Sequence, residues 1–309
     1  MEAAQLGQVL SDLDRWQVLA VLVKALTYGA CFAATGGVIF IVLFSSYLSE
    51  RQREAQWRFV ALAALAAMLL SVVRIGLMSA TMAGEASGLL DRAMIGMVLQ
   101  SSEGTSTALR VGGLLLIVVV AGRCANGLRS SLATVVALFG AVLGVASFFL
   151  VGHSGEVQGK AGLAPALLCI HLLAVAFWLG ALWPLHQSTY DGDYPGVATV
   201  MERFGKIAAF VVALLIADGL VLLGLILGNA SALWTSAYGQ LVLVKLFWVA
   251  LLLGLAAFNK LRLTPLLLEG DRSALVRLRR SIKTEIAIAT LILVVTAAFT
   301  TLVGPAESS

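Results

Sequence analysis

Charge is what this sequence has least of. Asp, Glu, Lys and Arg make up 12% of 309 residues, where a soluble chain carries roughly a quarter. With 60% apolar residues and a mean hydropathy of +0.96, a soluble domain is excluded. Cysteine is also scarce. Cys31, Cys124 and Cys169 form an odd, scattered set without a CxxC spacing, which excludes a disulfide framework and a cysteine-built zinc site. No ATP-binding fingerprint or phosphorylation loop occurs, which argues against a primary pump. No nucleophile–base pairing or carboxylate dyad occurs either, so the chain reads as a transporter or metal-binding membrane protein and not as an enzyme. There is no periodic repeat and no low-complexity tract, and the longest polar gap is about 20 residues.

What the chain does have is a succession of apolar runs, each long enough to cross ~30 Å of hydrocarbon as a helix. Hydropathy and turn signals predict eight spans, near 16–48, 57–83, 106–122, 128–151, 162–185, 204–228, 238–261 and 281–303. The fold expected is an all-α, polytopic transmembrane bundle. It forms a single integral membrane domain over 1–309, with four helices over about 16–151 and four over about 162–303. The first apolar run outlasts the ~7–15-residue core of a signal peptide and lacks a small-residue cleavage site, so it is expected to remain in place. Within 84–105 the segment LLDRAMIGMVLQ predicts either a half-helix at the interface or an extension of the third span.

The few charges are sorted by side. Alternate connections carry Arg51, Arg53 and Arg58; Arg123 and Arg129; Arg203 and Lys206; and seven more between Lys260 and Lys283, in all 14 of the 21 basic residues. The opposite connections and termini carry Arg15, Arg92 and Lys160 alone. Positive charge stays cytoplasmic, so both termini are expected on the outer side. The net charge of +4 then needs no nucleic-acid partner, although the last basic loop suits anionic lipid.

Histidine occurs three times, and two of the three bracket one helix, HLLAVAFWLGALWPLH at 171–186. His171 falls roughly 12–15 Å inside the outer boundary and His186 near the inner one. His153, in VGHSG, sits at the outer mouth. Trp178 and His186 each project within about 60° of His171. An ionisable group inside a span marks a functional site by default, and imidazole is a transition-metal ligand. The structural alternatives are a hydrogen bond from His171 to a neighbouring helix and a helix-end cap by His186.

Met78, Met82, Met94 and Met97 gather toward the outer end, in pairs four and three residues apart. Thioethers suit Cu(I), and they equally fill gaps in packed helices. Charged residues also enter the spans: Lys24, Arg74, Arg110, Asp218 and Lys245, with Glu285 near the inner end of the last. Asp218 and Lys245, on consecutive spans at similar depth, are expected to pair as a structural bridge or, alternatively, to relay protons. Glu285 is expected to pair with a neighbouring base.

The segments HLLAVAFWLGALWPL, RFGKIAAFVV, YGQLVLVKLFWVALLLGLAAFNKLRLTPLL and RLRRSIKTEIAIATLILVVTAAFTTLVGP resemble, in order and spacing, the successive helices of the copper-resistance D family (CopD/PcoD). The likeness covers about 162–304, and the GHSG segment fits the preceding helix. His171, Trp178, Gly180, Pro184, Tyr238, Lys245, Asn259 and Glu285 match the recurring positions. The resemblance implies an eight-helix bacterial inner-membrane protein that moves copper from periplasm to cytoplasm, served by a periplasmic copper-binding CopC-like partner. It does not fix the ligand set. Residues and resemblance together give one expectation, in which Cu(I) is received by His153 and the four methionines, passed to His171, and released past His186. Gly180 and Pro184 would allow close helix approach or distortion on the inner half of that route. Two other classes stay open. One is a b-type cytochrome with paired axial histidines; the other is a non-transporting copper receptor for a periplasmic chaperone.

Overall fold

The computed structural model describes residues 15–128, 130–151, 163–191, 194–227, 232–235 and 237–302, which contain helices and turns and no strand. The α-helices are α1 (Arg15–Phe44), α2 (Glu50–Ala83), α3 (Arg92–Gln100), α4 (Ser102–Ala125), α5 (Ser131–Ala146), α6 (Leu163–Asp191), α7 (Tyr194–Leu227), α8 (Ala232–Thr235), α9 (Ala237–Phe258), α10 (Thr264–Leu268) and α11 (Arg272–Leu302). Seven stretches of the described residues, built on α1, α2, α4, α6, α7, α9 with α10, and α11, are long and apolar enough to cross a membrane. The span expected at 128–151 is shorter. Its α-helix, α5, has 16 residues and continues as a five-residue 3-10 turn, Ser147–Val151. At the respective rises the two together reach about 34 Å. This is a multi-pass, all-helical membrane protein.

Local chemistry sets the helix limits. Ser49 opens α2 with a reciprocal capping box: its hydroxyl accepts from Gln52 N, and the Gln52 side chain accepts from Ser49 N at 2.9 Å. Gly84, at φ 73°, closes that helix in the left-handed region that favours glycine. Asp91 then caps α3 by accepting from Ala93 N and Met94 N at 2.8 and 3.0 Å. Ser101, held extended, ends α3 and caps α4. The 84–105 segment is therefore a 3-10 turn (Ala86–Leu90) followed by a separate half-helix, and not an extension of the third span.

The centre of the bundle is α1, which packs against α2, α5, α6 and α11. It crosses α6 where Gly36 meets Gly180. A Cβ on Gly180 would sit 2.5 Å from both Gly36 Cα and Phe32 O, so the two backbones touch only because neither residue has a side chain. Gly113 and Gly140 do the same for α4 and α5. Bundles in lipid gain little from apolar burial alone and associate through such close backbone approach. One buried apolar cluster joins Phe40 and Phe44 of α1 to Phe177, Trp178 and Leu182 of α6 and to Leu278 and Ile282 of α11. A second joins α1, α2, α4 and α5 through Val38, Val60, Leu114, Ile117 and Ala141. The beginning of α1 and the end of α11 lie at one end of the molecule, tied by Lys24 Nζ donating to Thr300 O at 2.9 Å. The basic connections gather at the opposite end, called the basic end below; the first is the basic-poor end.

Candidate metal site

The Gly36–Gly180 crossing fixes α6 against α1, and His171 lies nine positions before that contact, toward the basic-poor end. Across from it is Asp218 of α7. His171 Nδ1 and Asp218 Oδ2 are 3.0 Å apart, with Asp218 4% exposed. Counting helix rise, both residues lie roughly 12–14 Å from the basic-poor ends of their helices. An ionised carboxylate only accepts, so the proton of a neutral imidazole sits on Nδ1 and the lone pair on Nε2. Metal-ligating histidines are commonly held this way: a carboxylate fixes ring orientation and tautomer and makes the other nitrogen more basic. His171 keeps a quarter of its side-chain surface exposed, so the ring is not sealed.

This geometry corrects the expected Asp218–Lys245 bridge, because Asp218 bonds to His171 instead. The physical reason is packing. The main neighbour of α7 is α6, whereas α9, which carries Lys245, leans on α11. Lys245 does lie close enough for its charge to act on the His171 ring. Glu285 departs from expectation in the same way. Its carboxylate accepts from the Asn259 amide rather than from a base, and both groups are buried. Asn259 opens a π-helical segment (Asn259–Leu263), an extra residue in the helix that carries the amide toward α11.

His186 lies fifteen residues beyond His171 on α6, about 22 Å along the axis. The two therefore share neither a metal ion nor a haem. His186 is 6% exposed, and neither ring nitrogen has a hydrogen-bond partner among the described residues, so the helix-end cap is not made. Its ring lies 5.8 Å from that of Trp183 and 5.2 Å from that of Tyr190. The Arg279 guanidinium covers Tyr190 at 3.6 Å and donates to Thr189 O. His153 lies outside the described residues.

The four methionines all come to the basic-poor end, Met78 and Met82 on α2 and Met94 and Met97 on α3, which folds back against α2. None of the four joins a buried apolar cluster among the described residues; Met82 is 56% exposed and Met97 50%. Met78 and Met94 are half-buried, and on a bundle in lipid such exposure is ordinary for an apolar side chain. No group of three or more His, Cys, Asp or Glu side chains with metal-binding geometry occurs among the described residues. Among the described residues, a site at His171 would then have fewer than three such side chains.

Arg74, expected as an intramembrane charge, forms a buried ion pair with Glu103 at the start of α4. The sequence reading missed Glu103 because it lay at the edge of a loop. The signal was an acid three residues before the predicted start of a span.

Comparison with known proteins adds the last observations. Residues 12–163 match the family model of the copper resistance protein D-like N-terminal domain, and residues 198–299 match that of copper resistance protein D. The "Copper resistance protein D" of Pseudomonas syringae pv. tomato is 29% identical over 268 residues, covering 82% of this chain and 85% of that protein. No solved structure matches the chain. With both family models matched in order along a multi-pass helical bundle, this chain belongs to the copper resistance protein D family.

Proposed function

We propose that this protein carries copper, as Cu(I), across the bacterial inner membrane from the periplasm to the cytoplasm. The observation that carries the reading is the His171–Asp218 hydrogen bond, which leaves one imidazole nitrogen of an intramembrane histidine available for a soft metal ion. The family membership supplies copper. Methionines Met78, Met82, Met94 and Met97 form the receiving surface at the basic-poor end, joined by His153. A periplasmic CopC-like protein delivers the ion there. His171 is the site within the membrane, and His186 serves release at the basic end. A cargo site must bind few enough donors to let the ion leave, and an imidazole supplemented by thioethers or water meets that requirement for Cu(I). The whole chain acts as one membrane domain with both termini periplasmic, and anionic lipid contacts the basic residues on either side of α10, Lys260 and Arg262 before it and those in the first turns of α11.

Copper accumulation inside proteoliposomes containing the purified full chain tests this reading, with Cu(I) supplied outside as a weak thiol or thioether complex. Protein-dependent accumulation in the lumen is the expected result. Copper that stays on the vesicle exterior in proportion to protein would make the chain a receptor and would overturn transport. A Soret band with stoichiometric haem would overturn the copper reading.

A further inference from the structure

Glu285 is a carboxyl group buried in the bundle with no cation to answer it. It is 5% exposed, on the face of α11 that also turns Leu278, Ile282, Ala289 and Ile292 into an apolar cluster with Phe40 and Phe44 of α1. Its hydrogen-bond partner among the described residues is Asn259, whose Nδ2 donates to Oε1. The charged groups on the surrounding helices are engaged or turned elsewhere. Arg279 donates to Thr189 of α6, and Lys283 and Arg262 are exposed. Lys260 lies against Gly205 of α7, and His186 of α6 sits beside the rings of Trp183 and Tyr190. Lys24 bonds Thr300 at the far end of α11, and Lys245 is fourteen positions before Asn259, about 21 Å along the helix. No titratable group lies on α10. The amide oxygen of Asn259 is also buried, and nothing donates to it. An ionised carboxylate cannot, since it only accepts, whereas a protonated one has a hydroxyl to give. With a proton on Glu285, acid and amide can close a pair of two hydrogen bonds without a net charge. Without it, a lone carboxylate and an orphaned amide oxygen share one interior site, and each is costly there.

We propose that Glu285 and Asn259 form a proton-binding site, with Glu285 holding the proton in the resting protein and exchanging it with water at the basic end. A proton needs no cavity, because it joins an oxygen already in place. The basic end is the near one: Lys283, the last basic residue of α11, is exposed two positions earlier, about 3 Å of helix rise away. The Arg279–Thr189 contact sets Glu285 roughly level with Trp183 of α6, in depth between His171 and His186. On the transport reading, on which this consequence alone rests, ionised Glu285 offsets the charge of Cu(I) in the inner half of its route.

Infrared spectra of the purified full chain in nanodiscs, taken without copper across a pH series, decide the site. At neutral pH the wild type should show the carbonyl band of a protonated carboxylic acid, shifted in heavy water and lost reversibly as pH rises. Glu285→Gln should lack that band. The glutamine amide can make both bonds to Asn259, so this variant should fold. Asn259→Leu should move the band to higher frequency, because the acid loses its hydrogen-bond partner, and this shift decides if Glu285→Gln is not recovered folded. No such band at neutral pH, a band that survives Glu285→Gln, or one unmoved in Asn259→Leu would each overturn the proposal. The link to copper is read separately, as flux into proteoliposomes at several pH values, where Glu285→Gln should flatten the pH dependence of the wild type. Equal dependence in both overturns that link alone. A wild type that moves no copper overturns the transport reading and the link with it, while the infrared result still decides the proton site.

Discussion

His171 bonds Asp218 through one ring nitrogen, and in the proposed route the other is the one that meets copper. Removing the carboxylate while keeping the shape therefore tests more than removing the ring. Asp218→Asn should weaken Cu(I) binding about 10–100-fold, the usual effect of losing a group that orients a metal-bound histidine. Competition titration against a Cu(I) chelator measures it, and unchanged affinity would make the pair purely structural. At the entry surface, Met78→Leu combined with Met82→Leu should slow Cu(I) capture while costing less than about 1.5 kcal/mol of stability, because the volumes are similar. Capture kinetics and thermal unfolding on the same sample separate the two effects. The position of His171 within a span was legible in the sequence, since one of three imidazoles lay inside an apolar run. Its partner was not, because the sequence suggests that charges on consecutive helices meet. Here α7 turns toward α6 instead of α9. Glu285 was misread for the same reason. Charge alone pointed to a base, whereas the π-helical turn brought a neutral amide.

Helices in this bundle are held by shape more than by pattern. The α1–α6 crossing depends on two glycines whose backbones touch, and α6 carries both His171 and His186. Gly180→Ala should lower stability by roughly 1–3 kcal/mol, the usual cost of overpacking, because the new methyl meets backbone atoms that cannot rotate away. Denaturation in detergent reads the loss, and reduced copper binding should accompany it as α6 shifts relative to α7. A stability equal to wild type would mean that the helices separate without cost at that point. The long helices were legible from apolar runs and basic turns. The 3-10 end of α5 was not; it begins at Ser147, whose hydroxyl accepts from Arg110 of another helix. The break at Ser101 between α3 and α4 is set by a single extended cap residue inside a segment that reads equally well as continuous.

Across the molecule the described chain ends beside where it begins, as the Lys24–Thr300 bond shows directly. Which side of the membrane that end faces rests on the unequal distribution of basic loops. Reporter fusions at positions 125 and 275 should read cytoplasmic, and one at 309 periplasmic. The opposite pattern would reverse the order in which copper meets the methionines and His171. The architecture was legible in the sequence because lipid imposes long apolar helices whatever their packing. The contacts between the helices were not, since in hydrocarbon they depend on a few small and polar residues. The most direct test of the account is copper flux through His171→Gln in proteoliposomes, beside wild type, with folding of both verified by thermal unfolding. The glutamine keeps a polar group at the site but removes the imidazole nitrogen. Flux should fall at least about tenfold while the protein remains folded. Copper crossing at the wild-type rate through folded His171→Gln would contradict the account and move the route elsewhere in the bundle.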